Sequence, residues 1–98
     1  GGIQLSNSQM LSYVVNIVGI STTNNKFWNF KINGAIFKND SGIYIHTKGS
    51  KEIIVKNKKS DDIEINYNNT YGIYISARLK DIYTVQWTAK MESVECKL

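Results

Sequence analysis

The sequence predicts an all-β domain, an antiparallel β-sandwich of jelly-roll-like type with about seven strands. Three observations lead there. β-branched and aromatic residues dominate the 42% of the chain that is hydrophobic, and such side chains suit a pleated, half-buried surface. Short apolar runs recur about every ten residues between clusters of Gly, Asn, Asp and Ser, and no window carries a sustained helical period. The 98 residues contain no Pro, so those four residue types must make every turn.

Residues 1–9 lack periodicity and contain Ser6-Asn7-Ser8, so they read as a flexible leader ending a linker or tag remnant at Gly1-Gly2; residues 10–98 form the domain. The first strand, 11–20, is apolar on both faces from Val14 to Val18, as expected for a strand buried in a sandwich or held at a subunit contact. A polar turn at 21–26 follows. The second strand, 27–37, places Trp28, Phe30, Ile32 and Ile36 on one face and Asn29, Lys31 and Asn33 on the other. Gly34 interrupts the inward row, which predicts a bulge or the close approach of another backbone.

Residues 39–42, Asn-Asp-Ser-Gly, close that strand. Three short strands come next, at 43–46, 52–56 and 63–67, parted by polar turns at 47–50 and 57–62. A turn at 68–70 leads into a strand over 71–77, and 79–81 turns into the last strand.

That strand, 83–95, is the one the others are arranged around. Tyr83, Val85, Trp87, Ala89 and Met91 share one face, while Thr84, Gln86, Thr88, Lys90 and Glu92 share the other. An indole buries roughly 150–250 Å², worth on the order of 4–6 kcal/mol at about 25 cal/mol per Å² before entropy. Trp87 is therefore placed at the centre of the core, with Ala89 beside it and Trp28, Phe30 and Ile32 opposite.

Few residues here carry chemistry. One His, one Cys and a single arginine, Arg78, leave no triad and no zinc set. His46 reads as a surface or pocket-rim residue, and Cys96 as an inert thiol with no disulfide partner. Asp62 and Glu64 share a strand face but follow directly on a turn, where a solvated pair is expected in place of a glycosidase or calcium site. No phosphate-cradling glycine loop is present. The expectation is a protein that is not an enzyme, with no cofactor and no metal. No apolar run approaches a membrane span and no signal peptide is recognisable, so no membrane insertion is expected.

The net charge of +4 is carried by lysine. Lys48, Lys51, Lys56, Lys58 and Lys59 surround one predicted hairpin, where they would either grip a phosphate-bearing glycan, teichoic acid or nucleic acid or keep a sheet edge from aggregating. The second reading is preferred, because nucleic-acid readers rely on the planar fork of arginine. Tyr44, Tyr67, Tyr71 and Tyr74 cluster in mid-sequence. Tyr44 and Tyr74 lie opposite the apolar faces of their strands, and exposed rings suit a sugar or a protein interface.

From 10 to 95 the chain resembles a small β domain found at the C-termini of bacteriophage tail-fibre and other virion structural proteins. The resemblance rests on Tyr13-Val14-Val15-Asn16-Ile17-Val18-Gly19, on Trp28-Asn29-Phe30-Lys31-Ile32-Asn33-Gly34-Ala35, on Tyr71-Gly72-Ile73-Tyr74-Ile75, and on the closing strand from Val85 to Glu95 around Trp87 and Ala89. It implies a trimeric fibre tip on the virion surface that binds a receptor on the host cell and has no catalytic residues. The short middle region and lysine-rich turns depart from the family pattern and carry over no ligand preference. On this reading the chain is a homotrimer contacting a host cell-surface glycan or protein through Tyr44, His46, Tyr67, Tyr71 and Tyr74, and acting outside the cell. The alternatives are a capsid or baseplate assembly module and a basic β domain binding nucleic acid.

Overall fold

The computed structural model describes residues 3–21, 23, 25–81 and 84–98. Among them it shows an all-β chain of six strands: β1 (Gln9–Ser21), β2 (Lys26–Lys38), β3 (Tyr44–Val55), β4 (Asp62–Asn68), β5 (Gly72–Arg78) and β6 (Gln86–Lys97). Four form one antiparallel sheet in the order β3-β2-β1-β6, and β4 and β5 form a second, two-stranded sheet. Three hairpin-linked strands with a later one returning beside the first is a Greek-key order.

The strand count is six because the residues at 47–50 do not turn. The runs at 43–46 and 52–56 belong to one long strand, β3, whose pairing with β2 shifts register beside Asn29/Phe30 and Ile32/Gly34. Asn33 bridges the second irregularity. Its side-chain oxygen accepts from the Ser50 amide at 2.7 Å, and its side-chain nitrogen donates to Ser50 Oγ at 2.9 Å. A side chain thus supplies contacts that the bulged ladder loses. The turn at 39–42 is built by Asn39, whose side-chain oxygen accepts from the amides of Ser41 and Ile43, both at 2.9 Å.

β1 alternates strictly. Leu11, Tyr13, Val15 and Ile17 are buried, and Val14 and Val18 on the other face are exposed. Of the two expectations for this strand, burial on both faces within a sandwich is corrected: the second sheet covers one face of the four-stranded sheet and leaves the other uncovered by the described residues. The core joins Leu11, Tyr13, Val15, Ile17, Trp28, Phe30, Ile32 and Ile36 to Ile63, Ile65 and Tyr67 of the two-stranded sheet.

The centre of that core is Trp28, 1% exposed, and not Trp87. β6 is an edge strand beginning at Gln86, and Thr84 and Val85 precede it outside regular structure. The expected place of Tyr83 lies outside the described residues. Trp87 is half-buried at the margin and Ala89 is exposed, because the second sheet does not reach over β6. Trp87 still meets Trp28, ring centres 5.7 Å apart, by crossing Gly19, where a Cβ would stand 2.4 Å from the indole. Gly34 has the same role for another ring. A Cβ there would meet the Tyr13 hydroxyl at 2.4 Å, so the close approach is by a side chain as well as by the Thr47 backbone.

The segment read as a flexible leader is docked. Leu5 is 4% exposed within the core, and its amide donates to the Tyr67 hydroxyl at 3.2 Å. The Ile3 carbonyl accepts from the Ile73 amide at 3.0 Å, and Gln4 Nε2 donates to the Thr70 carbonyl at 2.7 Å. Burying one leucine and satisfying these groups holds residues 3–5 against β4 and β5.

Candidate functional site

The five residues predicted for receptor contact divide into two groups. Tyr44 and His46 lie on the inward face of β3, paired across the ladder with Lys38 and Ile36. Tyr44 meets buried Tyr67 edge-on, ring centres 4.9 Å apart, a geometry favoured by the ring quadrupoles. His46 Nε2 and the Tyr13 hydroxyl share a hydrogen bond of 2.7 Å. Burial, and secondarily the charge of Lys48, holds the His46 pKa below the ordinary histidine value, and burial pushes that of Tyr13 up. The Tyr44–Tyr67 contact joins the two sheets, and the His46–Tyr13 bond ties β3 to β1 across β2 within the larger one.

Tyr71 and Tyr74 are different. Tyr71, in the turn before β5, is 63% exposed, and Tyr74, on the outward face of β5, is 39% exposed. Their rings meet edge-on with centres 6.4 Å apart. Tyr74 stands at the mouth of an apolar groove of about 150 Å³ between β5 and β6, whose lining includes Val15, Ile65, Ile73, Ile75, Ala89 and Met91. The groove exists because two strands of the smaller sheet cover less than four strands of the larger one. A groove with apolar walls and an aromatic rim is suited to an apolar side chain or the face of a sugar ring.

The lysine cluster is largely engaged. Lys48 Nζ bonds Glu64 Oε2 at 2.5 Å, and Lys51 Nζ bonds Asp62 Oδ1 at 2.6 Å and approaches Glu64 Oε1 at 3.8 Å. Lys56 Nζ donates to the Lys59 carbonyl at 2.7 Å, and Lys58 lies 3.9 Å from Asp81. Asp62 and Glu64, expected as a solvated pair, tie β4 to β3. The Lys48 contact holds the Glu64 carboxyl below its usual range. At Asp62 burial pushes the carboxyl up, but Lys51, the Ile63 amide and Arg78 together outweigh it and the net shift is downward.

Sequence reasoning placed Asp61 only in a polar turn, among carboxylates expected to be solvated, yet it is the most connected polar group in the core. It is 1% exposed. Its carboxylate accepts from Trp28 Nε1 at 3.0 Å and from the amides of Lys58 at 3.0 Å and Lys80 at 2.8 Å. Burial would raise its pKa, but these donors together with the Asn57 amide hold it below the ordinary carboxylate value. Its position in an Asn-Lys-Lys-Ser-Asp-Asp turn gave no periodic signal of burial.

The outer face of the four-stranded sheet is apolar at one end. Met10, Phe37 and Ile45 stand in one cross-strand row beside Cys96, and Val94 lies in the next row, 76% exposed. Among the described residues no cluster of His, Cys, Asp and Glu has the makings of a metal site, and no helix is long and apolar enough to cross a membrane. No family model, curated protein or solved structure matches the chain.

Proposed function

We propose that this is a non-enzymatic binding domain of the phage tail-fibre-tip kind, which assembles with copies of itself and contacts a glycan on the host cell surface. The observation that carries the proposal is the pair of unpartnered surfaces. An apolar groove with Tyr74 at its mouth and Tyr71 against Tyr74 lies on one side, and an outer sheet face exposing Met10, Phe37, Ile45 and Val94 lies on the other. Contiguous exposed apolar surface on a small domain marks an interaction site. The Greek-key strand order is compatible with a jelly-roll-like sandwich. The resemblance implies three copies.

The virion assembly-module reading is favoured by the same outer face, which is apolar enough to be packed against a neighbouring protein. The nucleic-acid reading loses support, because Lys48, Lys51 and Lys58 face carboxylates within the chain. A panel of host-type cell-wall glycans, titrated against the wild-type chain and the double variant Tyr71→Ala/Tyr74→Ala, tests the proposal. Saturable binding lost in the variant supports it. No binding, or binding unchanged in the variant, overturns the glycan site.

A further inference from the structure

We infer that β6 is a docking edge for β6 of a second copy, the two strands running antiparallel about a two-fold axis through Met91. This rests on the self-association in the proposed function and gives it a place and a geometry, two-fold where the resemblance implies three copies. An edge strand presents a row of unpaired backbone groups, and natural proteins blunt such edges with bulges or inward charges. The two edges of the four-stranded sheet differ in this respect. β3 is irregular at two points and carries Lys48 and Lys51 on its inward side, tied to β4. β6 pairs with β1 without a register shift from Gln86 to Lys97, and among the described residues no strand lies on its other side. It is long and regular, and its inward-row charges, Glu95 and Lys97, lie only at its C-terminal end.

The charges on β6 select the partner. Lys90 and Glu92 are exposed on the same face of the strand, and Met91 between them points into the groove. In an antiparallel pairing centred on Met91, Lys90 stands opposite the partner's Glu92, and Glu92 opposite the partner's Lys90. Both cross-strand pairs are then of opposite charge. Moving the centre to Lys90 or to Glu92 sets like charges against each other, and moving it to Ala89 or Ser93 leaves both charges without an opposite. The favoured register also brings two Met91 side chains together beside the groove. That extends the cover over Ala89 and Met91, which the smaller sheet leaves incomplete. The interface is isologous, so it builds a dimer.

The test is sedimentation equilibrium of the wild-type chain, Lys90→Glu, Glu92→Lys and the combined Lys90→Glu/Glu92→Lys. Both residues are exposed, and far-UV circular dichroism with thermal melting checks that each variant folds. Each single reversal turns two attractive pairs into two repulsive ones and is expected to weaken the dimer about ten- to a hundredfold. The combined variant regenerates opposite pairs and returns to within about threefold of wild type. A wild-type assembly untouched by the single reversals overturns the β6 contact while self-association stands, as does weakening that the combination fails to restore. A chain that stays single at all concentrations overturns both.

Discussion

Replacing Asp61 by alanine removes a buried acceptor that joins the turn before β4, the segment after β5 and Trp28 on β2. A hydrogen bond to a charged group contributes about 1.5–3 kcal/mol, and a buried donor left unsatisfied costs about 1–3 kcal/mol. With these donors deprived of their shared acceptor and some relaxation, Asp61→Ala is expected to lose about 3–5 kcal/mol. A domain of this size has about 5–15 kcal/mol in total, so the variant sits close to unfolding. Urea denaturation at pH 7, followed by tryptophan fluorescence, measures the loss. Asp61→Asn keeps a carbonyl acceptor and should lose less, about 1–2 kcal/mol. It should also flatten the acid limb of the stability curve. Because the folded-state pKa lies below the ordinary carboxylate value, the stabilisation is present above that value and disappears as pH falls through the folded pKa. Asp62 and Glu64 shift the same way, so the limb is reduced and not abolished. A loss under about 0.5 kcal/mol for Asp61→Ala, or an unchanged acid limb for Asp61→Asn, would refute the hub assignment.

The two tryptophans should respond unequally: Trp28→Ala costs about 3–5 kcal/mol, whereas Trp87→Ala, at a half-covered margin, costs about 1–3 kcal/mol and leaves a folded domain in urea titrations. Gly19→Val forces the Trp87 indole off β1, so the tryptophan emission should move to the red with a loss of about 1–3 kcal/mol; unchanged emission would contradict the packing. Leu5→Ala should cost about 2–4 kcal/mol, and a neutral result would return residues 3–5 to the status of a free leader. His46 is held below its usual pKa, so its contribution is present above the ordinary histidine value and fades as pH falls through the folded pKa; an imidazole titration by NMR should place it lower than in a short peptide.

Period-2 patterning made β2 and β4 legible, since each buries one face and a one-residue slip would expose it, while β1 and β5 were legible as β-branched and aromatic runs between turn residues. The same patterning misplaced the centre of the molecule. Trp28 and Trp87 have equally apolar rows, and periodicity records which residues share a face but not how far another sheet extends over it. The split of β3 at 47–50 was misread because Gly49 and Ser50 carry turn chemistry, which a bulge uses equally well. Of the five predicted contact residues, Tyr71 and Tyr74 stand exposed together, while Tyr67 is buried by packing against Tyr44 and Leu5. Asp61 had no legible role, because a buried carboxylate in a polar turn has the same local sequence as a solvated one.

The central claim is that this domain assembles with further copies of the chain. Multi-angle light scattering of the wild-type chain, from micromolar to near-millimolar concentration, tests it most directly. The account predicts a mass rising to two chains, through the β6 edge. Three chains would keep the self-association and the resemblance but move the contact elsewhere. The mass of one chain throughout that range would contradict the claim.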